Sequence, residues 1–203
     1  MYSNMKPVRD IIVQVDENYK DSITLKNGQV IYLNQVFRQV KDTIRCGKVV
    51  ALPPEFDYDV QVGDTLFFHH GIVAETLLNE STPVPSPYMI DAEKKWYMVP
   101  VDERWPMFYA RLRDGEFKCT RGSLFIRPIV TKKYHSDHLI MPGNEKELKN
   151  IGEVAYSNAE MEEQGVKPGT KVIFEKDSEY EFEIDGETLY RMFDRWILGI
   201  YNG

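Results

Sequence analysis

Apolar and polar residues alternate in short runs along most of the chain. "DTLFF" (64–68), "TKVIFEK" (170–176) and "YEFEID" (180–185) are examples, and turns marked by Gly and Pro separate such runs. A period of two is the mark of a strand with one face in a core and one in water. Helical periodicity is scarce: the best amphipathic candidates, "NQVFRQVKDTI" (34–44) and "NEKELKNI" (144–151), are both short. The pattern predicts an all-β chain folded into small β-barrels.

The strands recur as two copies of one pattern. "GKVVALPPEFDYDVQVGDTLFFHHGIV" (47–73) aligns with "GEVAYSNAEMEEQGVKPGTKVIFEKDS" (152–178), so that Gly47 matches Gly152 and Gly63 matches Gly169. "LRDGEFKCTRGSLFIRPI" (112–129) resembles "IDGETLYRMFDRWILGIY" (184–201), each reading as a strand, an Asp-Gly turn and a returning strand. Asp-Gly between apolar runs signals a hairpin, because both residues tolerate positive φ. Upstream, "KPVRDIIVQV" (6–15) matches "RPIVTKKY" (127–134). Each copy is expected to open with a strand and close with a hairpin, one barrel occupying 1–126 and the other 127–203. Both helix candidates fall between the first and second strands of their copies.

The copies differ in length at two places. From Pro7 to Gly47 there are 40 residues, against 24 from Pro128 to Gly152, so the first loop is longer in copy 1. From Gly63 to Gly115 there are 52, against 17 from Gly169 to Gly186, which places an insertion of about 35 residues near 74–106. That stretch holds five of the eleven prolines, yet also Trp96, Tyr97 and Trp105. Pro-Ser composition alone would give a linker, whereas the aromatics predict that the second half packs on something. An ordered excursion with a flexible tip is expected.

Composition narrows the function classes. At 203 residues, with 42% apolar and 28% charged side chains, the chain has the makings of a core that needs no disulfides. A net charge of -7 with no Lys/Arg run lacks the footprint of a phosphate-backbone binder, so no nucleic-acid partner is expected. Cys46 and Cys119 have no second Cys or His at ligand spacing and read as reduced core thiols. No signal-peptide core opens the chain, and no segment approaches the roughly 20 apolar residues of a membrane span, so a cytoplasmic protein without a membrane partner is expected.

Catalytic signatures are missing as well. No nucleophile elbow, phosphate-binding glycine loop or dinucleotide fingerprint occurs, and "RCGKVV" (45–50) lacks the upstream glycine of a P-loop. No enzyme activity and no cofactor are expected. The adjacent histidines of "HHG" (69–71) read as surface or turn residues rather than ligands.

The ordered series of Gly-x-Val strand, variable loop, "VQVGDTLFF" (60–68) or "VKPGTKVIFEK" (166–176), "FEIDGETLY" (182–190) and a closing "RWILGIY" (195–201) resembles the GroES-like co-chaperonins, the lids of barrel-shaped chaperonins. The likeness covers nearly all of copy 2 and, insertion aside, most of copy 1. It implies two tandem GroES-like barrels that cap an ATP-driven, GroEL-like chaperonin ring, enclose a folding substrate protein and themselves form a homo-oligomeric ring. Val-x-x-Gly-Asp also occurs in the GroES-like domain of alcohol dehydrogenases, but that domain works beside a nucleotide domain this length cannot contain.

The resemblance further implies that the loop after each first strand carries a short apolar docking segment. By position these loops are residues 21–40 and 134–150, and the segments are Leu139, Ile140 and Met141 in copy 2 and Val30, Ile31 and Leu33, from "NGQVIYLN" (27–34), in copy 1. The family's roof hairpin is cut here to "PPEFDYD" (53–59) and "SNAEMEEQG" (157–165), a truncation similar to that of phage-encoded lids.

"HSDHLIMPG" (135–143) supports three readings. His135, Asp137 and His138 could ligate a metal, but a structural zinc needs four ligands and a catalytic one three plus an open position on a rigid scaffold, so no metal is expected. Leu139 to Met141 could instead be a core strand; the docking segment is favoured because the run stops at Pro142-Gly143. A competing function is a structural or virion-associated assembly protein that reuses the barrels, for which the large aromatic insertion is the argument.

Overall fold

Alternating runs become strands throughout, and the chain is all-β. The computed structural model describes residues 6–20, 22–24, 29–32, 39–78, 82–102, 105–132 and 145–202. Two compact units divide between Phe117 and Lys118, within the strand Glu116–Cys119 that pairs with the first sheet, and ahead of the strand containing Ile126, where the sequence placed the break.

The first unit opens with β1 (Ile11–Gln14), a hairpin of β2 (Ser22–Thr24) and β3 (Val30–Tyr32), one helical turn α1 (Gln39–Asp42), β4 (Cys46–Ala51) and β5 (Thr65–Phe68). A 3-10 turn at His70–Ile72 leads to the hairpin β6 (Thr76–Leu78) and β7 (Thr82–Val84), and then to β8 (Met89–Asp91), β9 (Trp96–Val99), β10 (Phe108–Arg113) and β11 (Glu116–Cys119). The second contains β12 (Ser123–Lys132), β13 (Glu145–Tyr156), the short helix α2 (Ala159–Glu163), β14 (Lys171–Phe174), β15 (Tyr180–Ile184), β16 (Glu187–Phe193) and β17 (Ile197–Ile200). Among the described residues no helix is long and apolar enough to cross a membrane.

The two main sheets repeat one another strand for strand. The order β8-β9-β1-β4-β5-β10 in the first becomes β15-β16-β12-β13-β14-β17 in the second. Register agrees too: Val13 faces Val49 and Tyr97 as Ile126 faces Val154 and Tyr190. Gly47 faces Leu66 as Gly152 faces Val172. At the closing strand, Phe68 and Phe67 pair with Phe108 and Ala110, while Phe174 and Ile173 pair with Ile197 and Gly199, each ladder skipping one residue at the same place. The six positions Ile11, Val13, Val49, Leu66, Phe68 and Val99 in one core are therefore Leu124, Ile126, Val154, Val172, Phe174 and Met192 in the other, all fully buried.

A glycine fixes how closely the opening strand approaches its neighbour. A Cβ on Gly47 would lie 2.6 Å from the Gln14 carbonyl oxygen, and one on Gly152 would lie 2.2 Å from Ile126 Cγ2 and 2.9 Å from the Arg127 oxygen. The next valine but one then clasps the Val-x-x-Gly turn. Val49 donates to the Asp64 carbonyl (2.9 Å) and accepts from Gly63 N–H (2.8 Å); Val154 does the same with Thr170 and Gly169 (2.8 Å each). Gly63 (φ 96°) and Gly169 (φ 87°) adopt the left-handed backbone that this turn requires.

This register corrects several expectations. The counterpart of the β15–β16 hairpin is β8–β9, inside the stretch taken as an insertion, and not the 112–129 hairpin. Its turn escaped notice because it lacks Asp-Gly: Asp91 Oδ1 accepts from Lys94 N–H (3.0 Å) and Lys95 takes the positive φ (51°). What copy 1 truly adds is the segment from the 3-10 turn through β7, together with β11. Of the aromatics in the second half of the supposed insertion, Tyr97 is fully buried as expected, whereas Trp105 is exposed. Likewise, Val13 and not Pro7 sets the frame of the opening strand.

The helix candidate at 144–151 is strand, because Glu145, Lys146 and Glu147 pair with Lys132, Thr131 and Val130. Pairing outweighs a weak helical preference. Of the other candidate, residues 34–38 lie outside the described residues, and among those described Gln39–Asp42 is helical.

Gly47→Ala and Gly152→Ala are each expected to lower stability by about 1–3 kcal/mol, through strand displacement. Gly199→Ala serves as the control, since no atom lies within 4 Å of its Cβ position and Ala110 occupies the equivalent site in the first sheet. Urea unfolding midpoints measure all three, and an undisturbed Gly152→Ala would contradict the packing argument.

Candidate docking loops

In both units the stretch between the opening strand and the Gly-x-Val strand leaves the sheet as an antiparallel ribbon. In the second unit β12 and β13 run on past the core, with Val130, Thr131 and Lys132 facing Glu147, Lys146 and Glu145. Asn150, in the left-handed region (φ 61°), lies at the register irregularity where the ribbon leaves the six-stranded sheet, and its side-chain amide donates to the Phe174 carbonyl (3.2 Å). Leu139, Ile140 and Met141, with His135, Asp137 and His138, lie outside the described residues.

In the first unit the loop is closed at its base by the Tyr19–Thr43 bridge. Lys20 N–H donates to the Asp42 carbonyl (2.7 Å) and Ile44 N–H to the Asn18 carbonyl (2.9 Å), so the two limbs form a neck. Beyond it Thr24 pairs with Val30 and Ile23 with Ile31. Val30 and Ile31 thus belong to a formed hairpin, while Leu33 lies outside the described residues.

Side chains tie this neck to the body of its unit. The buried Tyr97 donates its hydroxyl to Asn18 Oδ1 (2.9 Å), and the buried Thr43 donates to the Gln39 carbonyl (2.6 Å). Glu75, just ahead of β6, is gripped through its backbone from both limbs. Its N–H donates to the Tyr19 hydroxyl oxygen (3.1 Å), and its carbonyl accepts from the Gln39 side-chain amide (3.0 Å). Burial raises the Tyr19 and Tyr97 phenols above their ordinary values. Sequence reading passed over Tyr19, Gln39 and Glu75, since they join through backbone atoms 36 and 56 residues apart and carry no motif.

The histidines of "HHG" open the 3-10 turn that leads to Glu75. His69 Nδ1 accepts from Gly71 N–H (3.1 Å) as its cap, and the two rings stack with centroids 4.2 Å apart. His70 is half-buried, and burial together with the charge of Arg45 holds its imidazole below the usual 6.5.

Charge gathers at the turn before β5. Arg113 grips the buried Asp64 through both oxygens (2.7 and 2.8 Å) and reaches Asp59 (3.2 Å), while Arg111 binds Asp59 (2.9 Å) and Glu116 (2.7 Å). The Arg113 guanidinium holds the Asp64 carboxyl below the usual carboxylate range. These pairs staple a turn to the closing strand. Cys46 and Cys119 are free thiols, both raised by burial. Among the described residues no group of three or more His, Cys, Asp or Glu side chains could hold a metal ion.

No protein-family model matches the chain, and no curated protein sequence matches it.

A lowered histidine predicts the direction of acid sensitivity. Above 6.5 the imidazole is neutral in both folded and unfolded chains, and its contribution is whole. As pH falls below that value the unfolded chain takes the proton first, so stability declines until the folded value is passed. The urea midpoint of the first unit is expected to drop between pH about 7.5 and 5.5, and His70→Gln to flatten part of that drop.

Proposed function

We propose that this chain is a co-chaperonin, a tandem pair of GroES-like barrels that caps a GroEL-like chaperonin ring over a folding substrate protein. One observation carries the reading: both units have the same six-strand order and register, and each puts a loop at the same place, between the opening strand and the Gly-x-Val strand. In copy 2 that loop contains Leu139, Ile140 and Met141, the apolar run assigned to docking; in copy 1 it contains Val30, Ile31 and Leu33.

The physics suits a reversible lid. A loop that becomes ordered on binding gives up conformational entropy, so each docking event is weak. Three apolar side chains at about 1.5–3 kcal/mol each, if fully buried, offset that cost. A ring of such loops gains avidity from effective concentration and still releases. The chain itself needs no cofactor for this, and nucleotide hydrolysis belongs to the partner.

A ring requires lateral contacts, and the closing strands suggest where. β10 pairs with β11 on its outer side, whereas among the described residues β17 has only β14 as a partner. The difference shows in exposure. Tyr109 and Arg111 are 1% and 3% exposed on β10, while their register counterparts Leu198 and Ile200 are 67% and 44% exposed on β17. An apolar strand edge of this kind favours pairing with another chain.

The virion-associated reading drew on a large aromatic insertion. Most of that aromatic segment is the first sheet's own hairpin, which leaves the co-chaperonin as the better account.

Mixed with a GroEL-like ring and ATP, the protein is expected to give a capped complex and altered ATPase turnover. Replacing Leu139, Ile140 and Met141 by Ser should abolish capture. No complex with the intact protein would overturn the co-chaperonin reading, whereas capture that survives the triple change would overturn only the assignment of the loop. Separately, Leu198→Glu with Ile200→Glu should reduce the oligomer seen in sedimentation velocity without unfolding the second unit; an unchanged oligomer removes β17 from the lateral contact.

A further inference from the structure

The first unit carries a hairpin, β6–β7, that has no counterpart among the described residues of the second, and its root is built into the neck of the docking loop. Glu75 is the junction. Its two backbone groups are held by Tyr19 on one limb of the neck and Gln39 on the other, at 3.1 and 3.0 Å. On the far side the hairpin is anchored by Ser86, a buried residue whose hydroxyl donates to the Ile72 carbonyl (2.7 Å) and accepts from Tyr88 N–H (3.2 Å). Ile72 closes the 3-10 turn that runs through Val73 and Ala74 into Glu75, and all three of these apolar residues are buried. Ser86, the 3-10 turn, Glu75 and the loop neck thus form one chain of bonded groups.

The geometry points to Glu75 as a coupling residue that joins the β6–β7 hairpin to the docking loop of the first unit. Loosening the hairpin's root loosens the backbone bonds of the neck, and loosening the neck loosens the root in return. Reciprocity follows because both sites bias the same junction, and a coupling free energy has one value whichever end is perturbed. The docking role of the loop rests on the co-chaperonin reading, but the coupling is a property of the free protein. The second unit, whose ribbon has no such hairpin beside it among the described residues, provides an internal comparison.

Amide hydrogen exchange of the full chain, without partner or nucleotide, tests this. Ser86→Ala loosens the hairpin's root without touching the neck. It should speed exchange in 76–78 and 82–84, and should also speed exchange at Lys20 and Ile44 by about 2- to 10-fold, the value of one hydrogen bond. Tyr19→Phe and Gln39→Ala, lesions on the neck side, should speed the hairpin amides by a similar factor. If each lesion moves only its own side, the coupling is refuted.

Val49 and Phe68, whose amides bond within the core sheet, report general loosening. Should Ser86→Ala accelerate these too, the exposed Gln39→Ala decides: hairpin amides that do not respond to it overturn the proposal. Because no chaperonin is present, failure of capture by a chaperonin and failure of the coupling are distinguishable results.

Discussion

The structure depends on a close approach: the opening strand of each unit crosses the Gly-x-Val strand at a spacing that leaves no room for a Cβ. Gly47 and Gly152 allow that approach, and the valine two residues later is thereby placed to bond the Val-x-x-Gly turn from both its N–H and its C=O. From this point the register of four ladders is set, because an antiparallel sheet shifted by one residue would turn every core side chain outward. The loops are placed by the same constraint. A strand that must leave the sheet immediately beyond its crossing can only project its connection away from the core, and in both units the ribbon begins there.

Much of this was legible in the sequence and some was legible in the wrong frame. The two glycine pairs 47/152 and 63/169 were readable because a missing side chain at a forced position leaves a plain mark. The closing hairpin was misread because Asp114-Gly115 and Asp185-Gly186 share a turn chemistry but not a place in the sheet. Its true counterpart uses the longer "DAEKK" turn, and the signals that could have found it are Ile90-Asp91 against Ile184-Asp185, Tyr97 against Tyr190, and a tryptophan, Trp105 or Trp196, just before each closing strand. The 144–151 segment read as helix because charged residues spaced along a short run fit either period until a partner strand is known. The candidate site was legible only as a position between two strands; the junction at Glu75 was not, since backbone groups bond without leaving a trace in residue type.

The two units show how a shared frame accepts unequal loads. Six core positions match one for one, and the differences among the described elements lie in connections: a hairpin before β8, a strand after β10, and the short helix α2 between β13 and β14. Such additions cost little where loop closure grows slowly with length. They change what surrounds the frame without moving it, so that Tyr97 and Tyr190 hold equivalent places in the two sheets, and Tyr97 there reaches across to an asparagine in a loop neck.

One of those additions changes which backbone groups the first sheet presents beside its closing strand. β11 follows β10 through the two-residue Asp114-Gly115 turn and lies along the side of the first sheet that corresponds to the bare side of β17. A duplicated fold would otherwise offer that edge twice. With β11 in place the two closing strands differ in what they present: β10 is covered on its outer side, while among the described residues β17 pairs with β14 alone and keeps Leu198 and Ile200 exposed.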